Sequence, residues 1–255
     1  MTHKLAILAL TLASAMPALG QQPAGRPEDT EVWTPVPKVV TPGPTNAAPP
    51  SDAIVLFDGR NLNEWVTAGD TSKPARWTVR NGTMTVTKAG GDIETRRRFT
   101  SYHIHLEWRV PADVGGSGQR RGNSGLYLGS TPNGGYELQI LDSYRNTTYV
   151  NGQAGSVYKQ YIPLANAMRR PGAWQVYDVV WTAPTFNADG SLRSPAYITA
   201  IHNGVLVQNH VQLKGDTKYI GAPAYTAHGA LPIRLQSHGD PGPQVSFRNI
   251  WLREL

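Results

Sequence analysis

The chain has 255 residues, no cysteine, a net charge of +6, 26 glycines, 20 prolines and 7 tryptophans. Lack of cysteine excludes disulfides, thiolate nucleophiles and thiolate metal sites, while the length allows one sizeable core built from short strands and punctuated turns. The basic residues fall in scattered groups (Arg96-Arg97-Arg98, Arg120-Arg121, Arg169-Arg170), with no basic stripe interleaved with aromatics, which argues against a nucleic-acid partner.

In chain order, residues 1–20 carry Lys4, the apolar run Leu5 to Leu12 and then Ala18-Leu19-Gly20. This reads as a signal peptide cleaved before Gln21, so the mature chain is expected to be secreted or periplasmic. The apolar run is shorter than the ~20 residues that spanning a bilayer requires, and no later segment approaches that length. Residues 21–52 hold Pro35, Pro37, Pro42, Pro44, Pro49 and Pro50. They are expected to form an extended linker, acting as a tether or a strap. A single jelly-roll domain, catalytic or carbohydrate-binding, is expected over 53–255, opening with Ile54-Val55-Leu56-Phe57.

From there the dominant period is two. Tyr102 to Val110 alternates so that Tyr102, Ile104, Leu106, Trp108 and Val110 share a core face. Further strands are expected over 76–80, 83–87, 125–128, 136–141, 176–182, 197–202, 205–211, 233–238 and 245–252. Asn81-Gly82 and Asn203-Gly204 supply the positive φ angles of two-residue hairpin turns. Such a pattern predicts an all-β fold, a two-sheet antiparallel β-sandwich of jelly-roll type. The segment 143–174 is long for a connection and carries Tyr144, Tyr149, Tyr158 and Tyr161, as a lid or rim would; 163–167 has room for one helical turn.

Three strands set large hydrogen-bonding groups opposite their apolar faces: Glu107 and Arg109; Glu137 and Gln139; Gln236 and His238. If these strands are neighbours in one sheet, the groups gather on a single outer face. Planar partners for hydroxyls beside tyrosine rings such as Tyr158 are what a sugar site needs. Any half-exposed strand shows polar alternation too. The recurrence of Glu, Gln, Arg and His on all three gives the sugar reading its weight. Within the glycine-rich stretch 115–125, Asn123 is placed to enter that face; the stretch lacks the Gly-Lys-Ser/Thr ending of a phosphate loop. His103 and His105 share a face with Glu107, a pattern commoner on plain surface than in metal sites. No zinc-peptidase or serine-hydrolase signature is present.

The ordered motifs Leu56-Phe57-Asp58-Gly59, Glu107-Trp108-Arg109, Gly122-Asn123-Ser124-Gly125, Tyr136 to Asp142, His202-Asn203-Gly204-Val205, Leu235 to Gly239 and Phe247 to Trp251 resemble those of the 3-keto-disaccharide hydrolase family. The resemblance covers about residues 53 to 255. It implies a concanavalin A-like lectin/glucanase sandwich in exported proteins that act on glycosides oxidised at the sugar C3. The implied reaction removes the acidified C2 proton and expels the aglycone from C1 by β-elimination, with or without hydration of the enone. It needs a base, an acid and a stabiliser of the enolate oxygen. On this reading His238 and Glu137 transfer protons, Arg109 or Arg248 steadies the enolate, and Glu107, Asn123, Gln139, Asp142, Tyr158 and Gln236 bind the sugar. No cofactor is required; a divalent ion held by Asp142, His238 or Glu137 is the alternative electrophile. Rival readings are a non-catalytic lectin-like module, a structural envelope domain, and a two-carboxylate glycosidase using Glu107 and Glu137.

Overall fold

The computed structural model describes residues 25–255 except Asn133, Pro241 and Pro243, so the expected signal peptide lies outside the described residues. The chain divides into two units, 1–39 and 40–255. In the first, the described residues form one 3-10 turn, Pro27–Thr30.

The second unit is built from strands β1 (Ile54–Phe57), β2 (Trp65–Thr67), β3 (Asp70–Pro74), β4 (Thr78–Arg80), β5 (Thr83–Thr85), β6 (Ile93–Thr95), β7 (Tyr102–Arg109) and β8 (Ser124–Tyr127). There follow β9 (Glu137–Ile140), β10 (Gln175–Thr182), β11 (Thr185–Phe186), β12 (Leu192–Ser194), β13 (Tyr197–His202), β14 (Val205–Gln212), β15 (Arg234–Leu235) and β16 (Ser246–Glu254). One sheet runs β14-β13-β10-β7-β16-β5-β4 with β1 added on β16; the other runs β3-β2-β6-β15-β8-β9. Every pairing in both is antiparallel. β11 and β12 form a separate ribbon. This is the expected jelly-roll sandwich. Both Asn-Gly turns are hairpins with positive φ at each residue, joining β4 to β5 and β13 to β14.

Between the sheets lie Trp65, Trp108, Trp181, Tyr102, Tyr136, Tyr177 and Phe247, all buried. The predicted face of β7 supplies Tyr102, Ile104, Leu106 and Trp108 to this core. Truncating a tryptophan such as Trp108 to alanine would cost about 3–5 kcal/mol, the usual toll of emptying so large a site. The helical turn expected over 163–167 is a bend; the segment's 3-10 turn is Val150–Gly152.

One premise of the sequence reading is corrected by the topology. β7, with Glu107 and Arg109, lies between β10 and β16 in the larger sheet, and Arg248 is on β16 beside it; Glu137, Gln139, Gln236 and His238 belong to the smaller sheet and its ends. Alternation tells which side chains leave the core but not by which of the two outer faces they leave. Part of the segment 40–52 docks on β16, the neighbour of β7. The Ala47 carbonyl accepts from Asn249 Nδ2 at 2.8 Å and from Trp251 Nε1 at 3.0 Å, and Asp52 pairs with Arg253 at 2.7 Å.

Candidate functional site

The smaller sheet builds the site. On β9, Leu138 and Ile140 point into the core, so Glu137 and Gln139 face outward; on β8, Leu126 points inward and Gly125 and Tyr127 outward. β15 adds Arg234 to the outer face beside Tyr127, its register partner, and Gln236 and His238 follow as the chain leaves the strand. A rim is supplied by the long segment after β9. Its residues 155–158 run along the open edge of that strand, with Gly155 N donating to Gln139 O at 3.0 Å and Tyr158 N to Glu137 O at 3.2 Å, which carries Tyr158 over the site. Thr217 accepts from the Glu137 backbone N–H at 3.1 Å, and Tyr219 adjoins the rim through Lys159, whose Nζ donates to the Tyr219 carbonyl at 2.6 Å.

Together these residues enclose a hollow of about 240 Å³ lined by Asn123, Tyr127, Glu137, Gln139, Tyr158 and His238, with Gln236, Gly134, Thr217 and Tyr219 completing the wall. Six expected site residues therefore meet: Glu137, His238, Asn123, Gln139, Tyr158 and Gln236. Polar ties fix them. Gln139 Nε2 donates to Asn123 Oδ1 at 3.0 Å, Asn123 Nδ2 to Gln119 O at 2.8 Å, and Gln236 Nε2 to Tyr127 OH at 3.3 Å. The side-chain oxygens of Gln139 and Gln236 are buried without a partner among the described residues. Sugar hydroxyls are donors of the kind these oxygens lack.

The hollow holds two titratable groups whose surroundings shift them. Burial pushes the Glu137 carboxyl up to about 7, against the pull of Tyr127, Arg234 and His238. His238 Nδ1 lies 2.8 Å from Asp240 Oδ1, and that hydrogen bond raises the imidazole above its usual value against partial desolvation. Asp240 is held in turn by the Asn123 backbone N–H at 3.0 Å. With Nδ1 turned to Asp240, Nε2 is the nitrogen left for a substrate.

Four expected residues lie elsewhere. Glu107 accepts from Arg248 Nε at 2.6 Å and from Asn249 Nδ2 at 2.9 Å, and stands 3.7 Å from His105. Although burial opposes it, bonds from His105, Asn249 and Arg248 hold this carboxyl down at about 2. His105 is likewise lifted to about 9: its bonds to Asp178 and Glu107 outweigh desolvation. The guanidinium carbons of Arg109 and Arg248 sit 4.6 and 4.2 Å from the centre of the Trp174 ring, on the outer face of the larger sheet. Asp142 is fully buried at the end of β9 and paired with Arg121 at 2.8 Å, while burial raises its carboxyl. Glu107 and Glu137, on different sheets, do not flank a common bond. Among the described residues no group of three histidine or carboxylate side chains is arranged to hold a metal ion.

Tyr127, Asp240, Thr217 and Tyr219 are site residues that the strand reading passed over. Tyr127 alternates with Leu126 and Leu128 and was open to it. Asp240 stands two residues beyond His238, a spacing that lets a carboxylate reach Nδ1. Thr217 and Tyr219 come from an irregular loop that carries no periodic signal.

Residues 52–253 match the family model described as the 3-keto-alpha-glucoside-1,2-lyase-like domain. The chain belongs to this family. A solved structure of a provisionally designated glycosyl hydrolase from Parabacteroides distasonis ATCC 8503 is 52% identical, with a TM-score of 0.84, over 92% of this chain and 100% of that one. A second from the same organism, 20% identical with a TM-score of 0.59 over 80% and 94% of the two chains, shares the fold. The 3-keto-disaccharide hydrolase of Bacteroides thetaiotaomicron is 28% identical over 83 residues, which are 29% of this chain and 26% of that protein; the match thus spans about a quarter of the curated relative. Membership makes this a domain of glycosyl-hydrolase type.

Proposed function

We propose that the chain cleaves 3-keto-glycosides, disaccharides among them, by β-elimination. The observation that carries this reading is the placement of His238, backed by Asp240, and of the buried Glu137 in the wall of one hollow. His238 Nε2 takes the C2 proton made acidic by the C3 ketone, and Asp240 steadies the imidazolium that results. Glu137, neutral below about pH 7, protonates the leaving oxygen as the C1–O bond breaks. Of the groups lining the hollow, the Tyr127 and Tyr158 hydroxyls and the Gln236 amide take the enolate-stabilising role in place of Arg109 and Arg248. Water adding at C1 of the enone then yields the free 3-keto sugar.

The test is incubation of the protein with a 3-keto-glucoside and with the same glucoside unoxidised, followed by NMR. Aglycone released from the oxidised substrate alone supports the reading, and the spectrum tells enone from hydrate. Binding of either compound without turnover would make this a lectin-like module instead. We also propose that the chain is exported as a single jelly-roll domain, on the strength of Lys4, the run Leu5 to Leu12 and Ala18-Leu19-Gly20. A secreted or periplasmic product starting at Gln21, by mass, is the expected outcome.

A further inference from the structure

A second hollow of about 560 Å³ lies on the same outer face, toward β6 and β2. Arg234 is the wall between the two. Its guanidinium carbon stands 3.9 Å from the centre of the Tyr127 ring, and its Nη2 donates to the Gly134 carbonyl. Tyr127 and Gly134 line the first hollow, while Arg234 lines the second. The Nε of Arg234 is buried without a hydrogen-bond partner, 3.8 Å from Asp92 Oδ2.

The second hollow has a chemistry of its own, centred on Glu94. This residue sits in the middle of β6, register partner of Arg234, and is only 6% exposed. Its carboxylate makes no hydrogen bond or ion pair with any described residue. Its oxygens open into the hollow, where a ligand can bring the donors that the protein does not supply. Among the described residues no aromatic ring lines this hollow. A flat aromatic aglycone would therefore find neither stacking surface nor use for the carboxylate, whereas a pyranose offers adjacent hydroxyls to both carboxylate oxygens.

We propose that the second hollow seats the leaving saccharide, a neutral pyranose whose hydroxyls donate to Glu94, with Arg234 between the two rings beside the glycosidic oxygen. This rests on the first hollow being the seat of the oxidised ring. The decisive variant is Glu94→Gln, assayed on a 3-keto-disaccharide and on methyl 3-keto-glucoside, which has the same oxidised ring and no second sugar. KM for the disaccharide is expected to rise about tenfold, the cost of weakening a charge-assisted hydrogen bond, with kcat and both constants for the methyl glycoside unchanged. An equal effect on the two substrates, or none on either, overturns the proposal. If Glu94→Gln does not fold, Glu94→Asp, which keeps the charge but withdraws it by one methylene, carries the same comparison. Calorimetric binding of the unoxidised disaccharide and of methyl glucoside needs no turnover and separates the two ideas. Wild type that cleaves neither keto substrate sinks the first-hollow reading. Wild type that binds the disaccharide no tighter than methyl glucoside sinks the second.

Discussion

The carboxylate of Glu137 lies over the bare Cα of Gly125 on the neighbouring strand. A Cβ built at Gly125 would stand 2.7 Å from Glu137 Oε1 and 3.1 Å from Tyr127 Cε2. The two are diagonal neighbours across the β8–β9 pair, since Gly125 faces Gln139 and Tyr127 faces Glu137. Gly125 has no positive φ, so alanine is compatible with its backbone, and the missing side chain makes room for the carboxylate first and for the edge of the Tyr127 ring second. Gly125→Ala should therefore leave a folded protein with Glu137 displaced. Turnover of a 3-keto-glucoside is expected to fall on the order of 10²-fold, the cost of misplacing a reacting group by about 1 Å. Unchanged kcat in a folded variant would remove Glu137 from the chemistry.

Asp240 acts through His238. Replacing it with asparagine withdraws the charge that raises the imidazole and alters the hydrogen bond that orients it, so kcat should drop by about 10²-fold or more. The pH profile adds a second readout. In the proposed reaction His238 must be neutral to accept the C2 proton, so the rising limb of kcat/KM reports its deprotonation and should move to lower pH in Asp240→Asn. A limb that stays in place would mean that the rise belongs to another group.

Much of this architecture was open to a reader of the sequence. The alternation over Tyr102 to Val110 marks the core face of β7, and that over Tyr136 to Leu141 marks Glu137 and Gln139 as outward. Allocation between the sheets was not legible. Glu107 and Glu137 have the same local pattern, and only the pairing of β7 with β10 and β16 sends one of them to the opposite face of the sandwich. Short strands were missed for a related reason: β6 is three residues long, too brief to show a period, though it carries Glu94.

Stability should depend on pH through Glu137. Its folded pKa of about 7 lies above the ordinary 4.5, so the folded state holds the proton longer than the unfolded one. The favourable contribution is complete below about pH 4.5 and is lost as pH rises to about 7. Across that window wild type should lose roughly 3 kcal/mol relative to Glu137→Gln, by the conversion of about 1.4 kcal/mol per pKa unit. Urea titrations of both proteins at pH 4 and pH 8 measure this. A difference that does not change between the two would show that the carboxyl titrates normally when folded.

Glu107 tests the correction to the site. Its oxygens are occupied by Arg248 and Asn249, with His105 close by, on the face of the sandwich away from the hollow. Glu107→Ala should therefore destabilise the fold by about 2 kcal/mol, because it strips the carboxylate from the buried His105 and the part-exposed Arg248, while kcat and KM for a 3-keto-glucoside stay within twofold of wild type. His105, lifted to about 9 by Asp178 and Glu107, should titrate at lower pH in the variant, and its imidazole resonances in an NMR titration give that value directly. Because the folded carboxyl of Glu107 is held at about 2, its contribution is present above pH 4.5 and fades as pH falls toward 2, so the stability gap between wild type and variant should narrow in acid. A large loss of kcat without loss of stability would return Glu107 to the catalytic machinery and undo the division of labour between the two sheets.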